Sequence, residues 1–420
     1  MRGSSQSAHP SNGGSNARGR VRTALAFLLL AGLLAILTVF NYRFSLLEPG
    51  GNDFLARWNG ARAWLVEGRS PYAPSVTLEA QRLIYGRPAD PSHGEDLAQF
   101  VYPLHSMILF APFAFLSYPV ARALWMTLLE AGLVGLGLAS VELVGWRPRP
   151  WMLGIAVAFG LLWYNGLRGL IDGNTAVLVA LAMVAALLAI QRRRDFVAGL
   201  LLGLSTIKPQ MAFLLLPFVL IWAIPRRRWK LFGWSLAFCL LLPGAFLVVM
   251  PDWPLQMLRQ MQIYPSYVPI GSPVSILAAE TGALSTAVTW FLTAAFVLYL
   301  LVEWVITLRG QEDRFLWTAL MTLVVTNWVA YRTATTNYVV MLPVVFLVAA
   351  YLESRWPLCG RALALAELGF VFLVGWAVFL TTISGNLEQW PAYLPLPILA
   401  ILGLLALRNQ YPKIRPEPAG

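Results

Sequence analysis

Long apolar runs separated by short arginine-bearing breaks set the pattern of the chain from Thr23 to Leu407. Many approach the roughly 20 residues that an α-helix needs to cross a bilayer. Helical crossings are predicted at about 22–40, 119–143, 151–165, 174–190, 195–208, 211–225, 230–250, 284–308, 315–331, 338–352, 362–382 and 393–408. The breaks carry Arg18, Arg20, Arg22, Arg147, Arg149, "QRRRD" at 191–195, "RRRWK" at 226–230, Arg309, Arg314, Arg355 and Arg361. Basic residues accumulate in cytoplasmic loops, and placing all of these inside gives about twelve crossings with both termini cytoplasmic. Residues 1–20, rich in Ser, Gly and Asn, read as a disordered tail, 21–410 as a single membrane domain, and 411–420 as a second tail.

One run breaks the parity. "LHSMILFAPFAFLSY", 104–118, is short, contains proline, and would invert every later crossing if it spanned. It is expected to lie in or dip into the outer leaflet against protein; the alternative is that it crosses and another short run does not. No internal repeat is visible, which disfavours the repeat-built transporter folds.

Composition removes the soluble classes. Of 420 residues, 58% are hydrophobic and 12% charged, with a mean hydropathy of +0.65, which is the profile of an integral membrane protein. The net charge of +11 then reads as topogenic arginine facing anionic lipid, and no nucleic-acid partner is expected. Cys239 lies in an apolar run and Cys359 in a basic loop, so neither a disulfide framework nor metal-ligand spacing is present. The first apolar run is too long for a signal-peptide core and lacks a small-residue cleavage site, so it is expected to be retained.

Chemistry is therefore sought in the outer breaks. The longest, about 41–103, contains Phe54, Trp58, Ala61 and Leu65 at helical spacing, which predicts a helix lying in the interface. At its head Asp53 reads either as a catalytic carboxylate at the mouth of a cavity or, with Asn52, as a helix cap. Asp172 follows Arg168 by one helical turn, which fits a salt bridge or cap as well as a substrate role. Lys208 sits at the tip of a tight hairpin, either snorkelling to head groups or fixing a phosphate. Arg122, Arg259 and Arg332 fall on the same side. His105, after "VYP", is a second candidate base or phosphate contact against the commoner structural histidine. Glu130 falls near the middle of a crossing, where a carboxyl is presumed functional; it is the main observation favouring a transporter or lipid flippase.

The Asp followed by "WLVEGRSPY", the "FVYPLHSMILFAPFAFLSYPVARALWMTLL" block, the "DGNTAVLVALAMVAALLA" span and "AGLLLGLSTIKPQMAFLLLP" occur in an order that resembles glycosyltransferase family 87, polyprenol-phosphate-mannose-dependent mannosyltransferases of the GT-C class. The likeness covers about the first 225 residues and is weaker in "SPVSILAAETG" and "RTATTNYVVMLP". It implies an all-α polytopic GT-C fold, a polyprenyl-phosphate-linked sugar donor, a lipid or glycan acceptor, and an extracytoplasmic site in a bacterial plasma membrane. Carried over, the catalytic Asp falls on Asp53 and the donor-phosphate group on Lys208; on chemical grounds Arg332 or Arg168 is expected to assist in stabilising the phosphate charge. Tyr102, His105, Asp172 and Asn174 are further substrate-site candidates. The family's Tyr-Pro-Pro reads Tyr102, Pro103, Leu104 here, and its Gly-Gln-x-Asn reads Gly173, Asn174, Thr175, Ala176, departures that bear on the identity of sugar and acceptor. A polyprenyl phosphate leaves already ionised, so one base suffices, the anomeric centre inverts, and no metal or other cofactor is demanded.

Overall fold

The computed structural model describes residues 13–48, 50–264, 271–310, 312–384 and 388–410, and these are almost wholly helical. The first half runs α1 (Gly13–Leu47), α2 (Asn52–Leu65), α3 (Pro74–Tyr85), α4 (Tyr118–Leu143), α5 (Pro150–Leu162), α6 (Tyr164–Asp172), α7 (Ala176–Gln191), α8 (Asp195–Ser205) and α9 (Leu215–Ala223). The second runs α10 (Trp229–Val249), α11 (Trp253–Ile263), α12 (Pro273–Ala279), α13 (Ser285–Arg309), α14 (Phe315–Val329), α15 (Leu342–Arg355), α16 (Gly360–Thr382) and α17 (Pro395–Leu407). Helix α1 starts at Gly13, within the segment read as a tail; the rest of that tail, 1–12, and the second one, from 411, lie outside the described residues.

Among the described residues seven stretches are long and apolar enough to cross a bilayer: Thr23–Leu47, Tyr118–Leu143, Trp229–Val249, Gly282–Arg309, Thr335–Arg355, Gly360–Thr382 and Trp390–Leu407. Helices α5 and α6 make an eighth, bent by 49° where Trp163 turns extended. The other expected crossings fall on α7, α8, α9 and α14, of 16, 11, 9 and 15 residues. At the α-helical rise these are about 14–24 Å long, against an about 30 Å hydrocarbon core. The chain is a multi-pass, all-helical membrane protein; eight of the twelve expected segments have the length of a crossing.

The short helices form the centre. Every residue of α14 from Phe315 to Trp328 is buried, as is most of α7, whereas α1 and α10 turn leucine and phenylalanine outward, as a surface facing lipid tails would. Close backbone approach replaces the hydrophobic effect as glue there. Gly199 and Gly203 of α8 lie on Trp234 and Phe238 of α10, where an added Cβ would meet side-chain carbons at 2.6 Å. The run Leu104–Phe113 is a string of single 3₁₀ and α turns, at most about 20 Å long and too short to cross alone.

Helix α2 departs from expectation. The expected interfacial helix is internal, with every residue from Phe54 to Ala61 buried. Phe54 stacks on Trp125 of α4, with centroids 4.9 Å apart and planes 11° from parallel. Trp58 Nε1 donates to the Phe113 and Leu116 carbonyls at 3.0 and 3.2 Å. Trp58 is thus consumed by the 104–118 turns, which lie over α2, while Trp64 packs against Phe246 of α10 with centroids 6.0 Å apart. Arg57 is buried as well.

Candidate active site

Asp53 lies in the first turn of α2. Its Oδ2 accepts a hydrogen bond from Asn174 Nδ2 at 2.5 Å, while Asn174 Oδ1 accepts from Lys208 Nζ at 2.6 Å and from the Ala176 N–H at 2.9 Å. One amide therefore joins the acid of α2 to the cation at the tip of the α8 hairpin. The capping alternative does not hold: the N-cap is Gly51, and no side chain caps the helix. Nor does Lys208 snorkel, since it is 4% exposed and turned inward.

Arg57, one turn along α2, approaches Asp53 Oδ1 at 3.4 Å and stacks on the Tyr102 ring at 4.7 Å. Burial works against its charge, but Asp53, then Tyr102, Asp96 and Tyr264, outweigh burial and hold its pKa above the ordinary arginine value. The Tyr102 hydroxyl meets Thr175 Oγ1 at 2.7 Å, and its carbonyl accepts from the Tyr72 hydroxyl at 2.6 Å. The side chain of Asp53 keeps 32% of its surface exposed, so this carboxylate is the open end of an otherwise buried array.

Two local features hold Asn174 against α2. Helix α6 ends at Gly173, whose φ of 71° is the left-handed region that glycine adopts without strain. Its carbonyl accepts from Trp125 Nε1 at 2.9 Å, and a Cβ built on it would stand 2.5 Å from Phe54 Cβ. The α6–α7 turn thus lies directly on the residue after Asp53.

The remaining candidates separate into neighbouring groups. His105 Nε2 meets Thr206 Oγ1 at 3.0 Å, and because Thr206 gives its own proton to the Gly203 carbonyl at 2.6 Å, the imidazole is the donor. Burial pushes its pKa down to about 4, against a raising effect of the Thr206 contact, so it is neutral at physiological pH and is a cross-link to the Lys208 hairpin rather than a cationic phosphate contact. Arg168 reaches Asp172 at 2.7 Å and Glu388 at 3.0 Å, and Glu388 accepts from Thr335 at 2.6 Å. Arg332 lies over the Tyr331 ring at 5.6 Å. Arg57, Thr175 and Trp125 were not singled out in the sequence; only Arg57, four residues from Asp53, carried a visible signal in its helical spacing.

Glu130 accepts from Asn41 Nδ2 at 3.0 Å, beside the Asn41–Thr127 and Thr38–Thr127 contacts at 3.1 and 3.0 Å. It ties α1 to α4, which gives this carboxyl a structural partner within the membrane. Among the described residues no three His, Cys, Asp or Glu side chains gather as a metal-binding group.

An acid, an amide and an ammonium in series, bordered by an arginine, is an arrangement for accepting a proton beside an anion. Residues 100–262 match glycosyltransferase family 87. The match bears out the resemblance seen in the sequence and takes in Tyr102, His105, Arg168, Asp172, Asn174 and Lys208; Asp53 and Arg332 fall outside it. Over 174 residues the chain is 31% identical to a polyprenol-phosphate-mannose-dependent alpha-(1-2)-phosphatidylinositol mannoside mannosyltransferase of Mycolicibacterium smegmatis. That alignment spans 38% of this chain and 36%, about a third, of the relative's length. No solved structure matches the chain.

Proposed function

We propose that the protein is a membrane glycosyltransferase that moves a hexose, namely mannose, from a polyprenyl phosphate to a hydroxyl of a lipid or glycan. The observation that carries this reading is the half-open Asp53 carboxylate tied through Asn174 to Lys208. The family 87 likeness supports the reaction class, and the relative named above supports the donor. The acceptor oxygen attacks the anomeric carbon, the bond from that carbon to the phosphate oxygen breaks, and its electron pair leaves with the polyprenyl phosphate. The acceptor's proton passes to Asp53, and the phosphate charge is met by the Lys208 ammonium, whose other N–H donors remain to be used, with Arg332 assisting. Arg168, held between Asp172 and Glu388, is assigned to hold the α6 turn that precedes Asn174 and, through it, to assist at the phosphate. The arginine pattern supports both termini cytoplasmic and the site on the outer face, and the relative from Mycolicibacterium smegmatis supports a bacterial plasma membrane.

Direct displacement is expected to invert the anomeric centre. Proton NMR of the product made from a donor of known configuration checks this; retention would require a covalent or ion-paired intermediate and would exclude direct displacement.

A further inference from the structure

We infer that Asn174 is a positioning residue of the transfer reaction: its side-chain amide is the spacer that orients the Asp53 carboxylate relative to the Lys208 ammonium. The inference rests on the proposed function and deepens it.

Hydrogen-bond chemistry leaves the amide one orientation. The Lys208 ammonium and the Ala176 N–H can only donate, and both lie on the same atom of Asn174, at 2.6 and 2.9 Å. That atom must be the carbonyl oxygen. The NH2 group is then directed at Asp53, 2.5 Å away, and Asp53 must receive it as an acceptor. A donated N–H stabilises negative charge on a carboxylate, so the amide favours the ionised, reactive form of Asp53 while leaving the other carboxylate oxygen, toward Arg57 at 3.4 Å, for the incoming proton.

The spacing has its own logic. Two hydrogen bonds and the width of one amide separate ammonium from carboxylate by about 6–7 Å. In a displacement, the nucleophilic hydroxyl, the anomeric carbon and the leaving oxygen must fit between the base and the cation. A single amide sets that gap, and the chain clamps it from outside: Tyr102 meets Thr175, the next residue, at 2.7 Å, and Gly173, the preceding one, lies on Phe54. Asn174 itself is buried, 5% exposed, which fits a spacer and not a group that binds sugar.

The test compares Asn174→Leu, Asn174→Gln and Thr318→Val in full-length protein, reading kcat, the KM for polyprenyl-phosphate mannose, and Tm. Asn174→Leu is expected to lower kcat by about 100-fold with the donor KM within about twofold of wild type, because orientation and not binding is lost. Asn174→Gln, which keeps the amide on a longer arm, recovers at least about tenfold of that loss. Thr318→Val, which removes a buried hydrogen bond to Thr307 at 2.7 Å outside the site, lowers Tm and leaves kcat within about threefold, so that loss of stability and loss of orientation are told apart. The inference is overturned if Asn174→Leu keeps kcat within about threefold, if its main effect is a rise in donor KM, or if Gln rescues nothing. Wild-type protein that transfers no sugar would instead remove the functional reading itself.

Discussion

Asp53→Asn lowers the transfer rate by about 10³-fold while leaving Tm within about two degrees of wild type. A general base contributes on the order of 10²–10⁴ in rate, and here the substitution removes the base with little else. The new side chain can turn its own carbonyl oxygen to Asn174 Nδ2, which now donates at 2.5 Å to Asp53, and Asn52, not Asp53, begins the helix after the Gly51 cap. The contact with Arg57, at 3.4 Å, loses its charge but keeps its Tyr102 stack. Stability and rate are therefore expected to part company. Thermal unfolding in detergent, run beside the transfer assay, reads both; a large fall in Tm would show that Asp53 is a structural acid, and a rate within tenfold of wild type would show that another group takes the proton.

Gly173→Ala is expected to reduce kcat by about 100-fold and to lower Tm by several degrees. Two effects combine. A φ of 71° is strained for any residue with a Cβ, by about 1 kcal/mol. The larger effect is contact, since that Cβ would stand 2.5 Å from Phe54 Cβ and Phe54 has no room to retreat, being stacked on Trp125 at 4.9 Å. Relief must come from moving either α2, which carries Asp53, or the turn that carries Asn174. Displacements of about 1 Å in a reacting geometry are worth about 10²-fold. Gly68→Ala separates the two effects: Gly68 has a similar φ of 68° with nothing within 4 Å of the added carbon, so it carries the backbone strain alone and is expected to leave kcat within about twofold. Equal losses from both substitutions would contradict the contact argument.

The general plan of the molecule was legible because it follows from one-dimensional signals. Apolar runs and arginine breaks are local properties, and each expected crossing coincides with a helix or helix pair. Their lengths were less legible: α8 and α9, of 11 and 9 residues, are cut short by the buried Lys208 turn between them, whose proline and lysine looked in the sequence like an ordinary end at the surface. Helix α2 was misread for a related reason. Tryptophan and arginine on a short helix beside a crossing have the composition of an interfacial helix, and only the distant partners Phe113, Leu116, Trp125 and Tyr102 reveal that they are interior.

The same distance explains what was found of the site and what was not. Asp53 and Lys208 stood out as charges where charge is costly. Asn174 stood out only as a departure from a family motif, because its partner Asp53 is 121 positions away and nothing in the local sequence says that an asparagine after a glycine will bridge them. Arg168 was legible only in part: its helical-turn partner Asp172 is local, whereas Glu388 is 220 positions on.

The most direct test of the central claim is transfer itself. Purified full-length protein in lipid vesicles is given synthetic polyprenyl-phosphate mannose carrying a radiolabelled sugar, with phospholipid and glycolipid acceptors extracted from a bacterial membrane, and the labelled product and the released polyprenyl phosphate are measured together. The account predicts labelled acceptor and polyprenyl phosphate in equal amounts, dependent on Asp53. Donor that stays intact across the acceptor set, or label that crosses the vesicle membrane still attached to its polyprenyl phosphate, would contradict it.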